Sequence, residues 1–436
     1  MVLKMGSKFL IKILIPISGL CLLLGFSSIK NKKDNHFKNY KYSFTVTAAS
    51  TINTERTDAV ISLSLDKIKR KYPLFNYQDF YITSGKVEIP SQVVDQYGNN
   101  SVKKIIFITS FGPNENKEFV FHYSKNGIMK RQYKQRAQAV LGIKKDYKKI
   151  KGYYTGGKFV NIDSTIVPKD HFAHDALYRI EGPGWESDLI AYRFYLDSRN
   201  RNDITGKKTH DMILQKMGVH DFVSNSAESY TKMLPWGMDI FKVGESLGIG
   251  SIAMWYDNKV NTISNLDKEE CKITADGPIQ ADIFTKYLGW KVGSEKFNLS
   301  SNFSINAGSR LTEVNLTLNG KPAILSTGLV IHPDCTFLES DKKKNNQWSY
   351  IALYGKQSLA GDNLGTALFY KTKEANEVTQ DSLSKVVVLN PANGKLIYYF
   401  AAAWEQEPGG IKNINEFKAY LDKTILELSK PVQINF

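Results

Sequence analysis

The chain has 436 residues, 42% hydrophobic and 23% charged, which is enough apolar material for a sizeable core and excludes a disordered or low-complexity protein. Its formal net charge of +15 attracts anionic partners. Three cysteines are too few for a disulfide scaffold, and no Cys/His spacing of the zinc type occurs, so neither a metal nor a cofactor is expected.

Lys4, Lys8 and Lys12 precede an apolar run from Ile13 to Phe26 and the small pair Ser27 and Ser28. That order predicts a secretory signal over residues 1–28, the apolar core being too short for a comfortable membrane span. Leu20 stands before Cys21 where a lipobox requires a small residue, so plain cleavage is preferred to lipoprotein anchoring, with an uncleaved anchor as the alternative. The expected location is the periplasm or the extracellular space. Loss of the three leader lysines leaves +12, with Cys271 and Cys335 as the remaining thiols and one bridge between them an open question. Exported proteins meet little nucleic acid, so the surplus charge points to acidic glycans. No later run is apolar enough for stable membrane insertion.

Residues 29–41 read as a polar, lysine-rich tether. From Tyr42 the pattern becomes short alternating runs, among them Ala59-Val-Ile-Ser-Leu-Ser-Leu and Lys104-Ile-Ile-Phe-Ile, which predict an N-terminal β-sandwich over 42–125. Residues 126–151 are strongly basic and are taken as a connector, either a short helix or extended chain. Beyond it, runs such as Leu189–Leu196, Ser349–Tyr354 and Leu396–Ala402 predict an all-β, mostly antiparallel second domain over 152–436, a large sandwich with no internal repeat. Phe417, Leu421, Ile425 and Leu428 share one face of a C-terminal helix that Asn413 or Asn415 would cap.

The densest chemical block runs from His171 to Arg199. On a Leu189–Leu196 strand, Arg193 shares a face with Ala191 and Tyr195, where a guanidinium fork among rings suits a sugar carboxylate. Gly182-Pro-Gly-Trp reads as a tight turn that presents Trp185, Glu186 and Asp188 together, and paired carboxylates beside a ring suit general acid/base work. A second block, Leu234 to Gly250, offers Trp236 and Asp239. Its Gly244, Gly248 and Gly250 match no nucleotide loop and are expected at positive φ or close backbone approaches. His332, Gln357, Asp362 and Trp404 stand in predicted loops at strand ends, where a β-scaffold carries binding groups.

Several long blocks resemble the domain-of-unknown-function 4861 family of secreted bacterial polysaccharide-utilisation proteins. They are Ile89-Pro-Ser-Gln-Val-Val-Asp95, Glu181-Gly-Pro-Gly-Trp-Glu-Ser-Asp188, Trp236-Gly-Met-Asp-Ile-Phe-Lys-Val-Gly244, Tyr354-Gly-Lys-Gln-Ser358, Asp362-Asn-Leu-Gly365 and Tyr398-Tyr-Phe-Ala-Ala-Ala-Trp404-Glu-Gln-Glu407. The resemblance implies a setting among glycan-degrading genes and, by analogy, a sandwich like those of galactose mutarotases. Where relatives carry an Asp-x-Asp-Gly-Asp loop, this chain reads Asp95-Gln-Tyr-Gly-Asn99-Asn100, which lacks the carboxylates a hard cation needs. Thr231 and Ser198 stand where relatives have His and Trp.

Three functions follow as expectations. An enzyme acting on uronate-containing oligo- or polysaccharide would work as a lyase, with Arg193 or Arg199 neutralising the carboxylate and His174 or Tyr195 as base, or as a hydrolase through Glu186 and Asp188. A glycan-binding protein would stack Trp185, Trp236 and Trp404 on sugars, with Arg179 and Asp239 as further contacts. A structural surface protein would do neither.

Overall fold

Short β-branched and aromatic runs separated by Gly, Asn and Lys turns produce a molecule built almost wholly of antiparallel strands. The structure is a computed structural model that describes residues 40–95, 103–219, 229–341 and 347–436. The expected leader, nearly all of the tether and the loop at Gln96–Asn100 lie outside the described residues.

The strands expected at Ala59-Val-Ile-Ser-Leu-Ser-Leu and Lys104-Ile-Ile-Phe-Ile are present. A five-stranded sheet contains Tyr42–Ala49, Asn116–Tyr123, Phe80–Ser84 and Val87–Ile89, and a three-stranded sheet contains Arg56–Ser64, Lys103–Phe111 and Ser91–Asp95. Their inner faces meet in a phenylalanine-rich core of Phe44, Phe75, Phe80, Phe107, Phe119 and Phe121. The fifth strand of the first sheet is the chain's own end, Gln433–Asn435, paired with Thr47–Ala49. A short helix, Leu65–Lys71, was not anticipated. Ser64 caps it and Leu65 and Ile68 bury against the core, but its apolar residues run on from the strand's alternation.

The larger part stacks a six-stranded sheet on a nine-stranded one. Trp185, Tyr192, Phe194 and Ile204 from the six-stranded sheet interlock with Phe303, Val314, Tyr398 and Phe400 from the other. A further five-stranded sheet carries Ala253–Tyr256, Leu325–Val330 and Ser384–Leu389. The C-terminal helix spans Ile414–Ser429, and the Asn413 side chain accepts from the Asn415 and Glu416 N–H groups. It buries Phe417, Leu421 and Ile425 against Tyr350, Ala352 and Tyr354 on the outer face of the nine-stranded sheet. Each such side chain contributes about 2–3 kcal/mol on burial.

The basic segment 126–151 is divided. Residues 126–136 run without regular structure, whereas Ala137–Lys145 is a paired strand of the six-stranded sheet. Arg136 clasps the two parts, its Nη2 2.6 Å from Asp58 and its Nε 2.6 Å from Asp188. Gln92 adds a second tie, its side chain accepting from the Ile279 and Gln280 N–H groups and donating to the Gln280 carbonyl. Cys271 and Cys335 are unbridged. Among the described residues, no helix is long and apolar enough to cross a membrane.

Candidate functional site

The site is built by an irregularity in one strand. Gly182-Pro-Gly-Trp is not a tight turn, because Tyr178–Ser187 forms a continuous strand beside Ala137–Lys145. Tyr178 lies opposite Ile143 and Pro183 opposite Leu141, so residues 179–182 bulge out over Gly142 alone. Gly182 backs onto the next strand so closely that a Cβ there would lie 2.1 Å from the Phe194 carbonyl oxygen. Glu181 is held at φ 63°, an uncommon conformation for a residue with a side chain, and its carbonyl accepts from the Leu196 N–H.

The Glu181 carboxylate thereby joins a buried cluster centred on Arg193. Arg193 Nη2 lies 2.7 Å from both Asp203 and Asp239, its Nη1 donates to the Tyr230 hydroxyl at 3.0 Å, and Glu181 stands 3.7 Å from Nη1. Tyr195 donates to Asp203 at 2.6 Å. On its other side, Glu181 takes Arg199 Nη2 at 2.6 Å and His174 Nδ1 at 2.8 Å, while Arg199 also holds Asp197 and stacks 3.8 Å over the Tyr195 ring. Four carboxylates thus face two guanidinium groups. His174, itself at φ 66°, is 61% exposed on a loop that Asp175 orders by accepting from the His171 ring and the Phe172 and Leu177 N–H groups.

Burial, reinforced by Asp203 and offset by Arg193, lifts the Asp239 carboxyl to about 7. Burial raises the Tyr195 phenol well above its usual range and the Tyr230 phenol to about 12. Burial opposes the charge on Arg193, but Asp239 and its other neighbours outweigh that and hold it cationic. Among the described residues, no group of three or more His, Cys, Asp or Glu side chains is arranged to hold a metal ion; the Arg193 guanidinium fills the space between the carboxylates.

A cleft of about 450 Å³ adjoins the cluster. Gln215, Lys216, Met217, Gly218 and Val219 line it together with Tyr230, Leu234, Pro235 and Trp236, so Tyr230 belongs both to the cleft and to the Arg193 cluster. Its size and mixed lining suit a small organic ligand. Arg179 lies behind this wall, buried, its Nη1 donating to the Gln215 carbonyl at 2.9 Å and its stem against Gly218.

The structure brings His174, Arg193, Tyr195, Arg199 and Asp239 together and sets Trp236 in the adjoining cleft. Other expected site residues are occupied elsewhere. Trp185 is fully buried between the sheets, its indole N–H donating to Thr312 at 2.9 Å, and offers no ring face to a sugar. Glu186 is fully buried against Lys207 at 2.7 Å and accepts from the Ile213 and Leu214 N–H groups. Asp188 is held by Arg136 and the Gly308 N–H, so the two carboxylates do not form an acid/base pair. Trp404 is buried beside Gly206 and donates to Asp362, whose second oxygen accepts from Gln406. Gln357 is buried and donates to the Leu353 and Leu364 carbonyls. His332 stands on the loop before the edge strand Cys335–Glu339, beside Asp334 and apart from the cluster. Gly244, Gly248 and Gly250 all adopt positive φ, as expected of their spacing.

Sequence reasoning missed Glu181, Asp197, Asp203 and Tyr230 as site residues. Asp203 faces Arg193 directly across the strand pair, a register that the sequence does not display.

Residues 49–434 match the family described as domain of unknown function (DUF4861). The chain belongs to this family. No curated protein matches the chain significantly. Similar solved structures include a protein in glycosyl hydrolase family 38 from Enterococcus faecalis and an alpha-mannosidase from Enterococcus faecalis V583, each 8% identical over 90% of this chain, with TM-scores of 0.43 and 0.44. The chain spans about half of their length, 47% and 46%.

Proposed function

We propose that this protein is exported and that it binds and cleaves an acidic oligo- or polysaccharide in the cleft lined by Tyr230 and Trp236. The observation that carries this reading is the Asp239 carboxyl, lifted to about 7 in the Arg193 cluster, which Tyr230 joins to a ligand-sized cleft. A carboxyl in that range is a proton donor at neutral pH, and Glu181, across the same guanidinium, is the partner carboxylate. Both keep a sliver of exposure, 10% and 7% of their side chains. Trp236 supplies a half-buried ring for sugar stacking, and Lys216 and the net charge of +12 left after loss of the three leader lysines favour an acidic chain. Hydrolysis suits the cluster better than elimination. A lyase needs a cation to neutralise the uronate, and Arg193 already holds three carboxylates and Arg199 two.

The test is release of reducing ends from a uronate-containing oligosaccharide, with ultraviolet absorbance followed for the double bond of an elimination product. Asp239→Asn and Glu181→Gln are each expected to lose about 100-fold or more in kcat while melting cooperatively. Full activity in both variants contradicts the assignment. A second reading, glycan binding without cleavage, is favoured by the mutual satisfaction of charges around Arg193, and tight binding with no product after long incubation selects it.

A further inference from the structure

Ala137–Lys145 and Lys158–Asn161 are the two arms of one long hairpin at the edge of the six-stranded sheet, and its distal half, Lys148–Ile150 paired with Tyr153–Thr155, projects as a separate two-stranded ribbon. The hairpin carries exposed lysines at 145, 148, 151 and 158, none with a carboxylate at ion-pair distance among the described residues; Lys149 is paired, with Asp170. Lys145 and Lys158 lie directly opposite one another, a like-charge pair that costs stability in a sheet. Ile150 and Tyr153 are likewise partners across the ribbon, on the same face as Lys148, and both are about half exposed, at 52% and 50%. Lys149 and Tyr154 take the opposite face, Tyr154 being buried. One face therefore sets an exposed ring between cations.

The ribbon packs on the loop that carries His174. The Tyr154 N–H donates to the Asp175 carbonyl at 2.8 Å, and the Tyr153 ring meets Phe172 edge-on at 5.2 Å, both on the loop that carries His174. We infer that the hairpin is a landing surface for an acidic polysaccharide chain, holding a stretch of polymer outside the cleft in which its terminal or internal sugars react. The inference rests on the acidic-glycan reading above and adds a second, separate contact for long chains. Charge complementarity selects the occupant: unpaired lysines meet the repeated carboxylates, and Tyr153 covers the less polar sugar faces. Contacts spread along a ribbon reward chain length, as linked sites do through effective concentration.

The experiment compares binding of polygalacturonate and of a short galacturonate oligomer to the wild type, to a Lys148→Ser, Lys151→Ser, Tyr153→Ser triple variant, and to Trp236→Ala, at low and high salt. The hairpin variant is expected to bind the polymer about tenfold more weakly, with a shallower salt dependence, and the short oligomer as the wild type does. Trp236→Ala is expected to weaken both. Equal polymer affinity in the wild type and the hairpin variant overturns the landing surface while leaving the cleft reading intact; loss of oligomer binding in neither variant strikes the cleft. Capture of phosphatidylglycerol vesicles by the ribbon lysines with no polymer binding overturns the inference in favour of a membrane contact.

Discussion

At the scale of single residues, the difference between a site and a scaffold is set by what each polar group already touches. Glu186 looked catalytic in sequence beside Trp185, yet it shares a fully buried ion pair with Lys207. Removing one member strands the other charge, so Glu186→Ala is expected to cost about 3–5 kcal/mol in urea denaturation, whereas replacing both with apolar residues of similar volume recovers most of it. A second buried carboxyl, Glu269, is pushed to about 8 by burial, with Asp197 adding to the rise and Asn200 opposing it. Glu269 Oε1 and Asn200 Oδ1 both lack partners, while Asn200 Nδ2 donates to Glu269 Oε2 at 3.4 Å. Because the folded form holds this proton more tightly, stability is fullest below the unfolded value near 4.5 and falls as pH rises to about 8. Glu269→Gln is expected to match the wild type at about pH 4 and to exceed it by roughly 2–4 kcal/mol at about pH 9; a constant difference across that range contradicts the assignment. Arg193, Tyr195 and Arg199 were legible as candidates because charged and aromatic residues crowd one stretch, and Asp239 because it stands near Trp236 in a second, glycine-rich block. Asp203 was not, since a carboxylate in an alternating strand reads as an outward residue until its neighbour's arginine turns out to be buried beside it.

At the scale of elements, the four-residue bulge in Tyr178–Ser187 converts an ordinary strand into the wall of a site. It is what turns Glu181 toward Arg193 and Arg199 and sets Arg179 behind the cleft. Gly182 permits it, and Gly182→Ala forces a Cβ into the Phe194 carbonyl. That variant is expected to keep its far-ultraviolet circular dichroism, lose about 2–4 °C in Tm, and lose most oligosaccharide affinity by calorimetry; unchanged affinity would show that the bulge does not shape the site. The same block illustrates a limit of pattern reading. Gly-Pro-Gly is ordinary turn chemistry, and only the partner strand reveals that the glycines serve close packing instead. The terminal helix was legible from its apolar spacing, a local signal, and its cap was narrowed to Asn413 or Asn415, of which Asn413 caps it.

At the scale of the molecule, the architecture of mostly antiparallel sheets with a helix at the end followed from strand-length runs over the whole chain, but the way the parts are closed did not. Gln433–Asn435 returns to complete the sheet of the first described strands, and Arg56 donates to the Glu427 and Lys430 carbonyls at the end of the helix, so the last described strand and helix are tied to the small sandwich. Deleting residues 431–436 is expected to lower the melting of the small sandwich and to separate it from that of the larger sheets; a single unshifted transition contradicts this coupling. No pattern within a segment announces a partner some 370 residues away, as Arg56 and the helix end are. The same reason kept Tyr230 out of view, since its part in the site exists only where the cleft meets the Arg193 cluster. The measurement that bears most directly on the account is calorimetric titration of the wild type, Trp236→Ala and Glu181→Gln with one galacturonate oligosaccharide. Saturable binding by the wild type, weakened about tenfold or more in Trp236→Ala, is the predicted result. Undiminished binding by both folded variants would place the ligand elsewhere and contradict it.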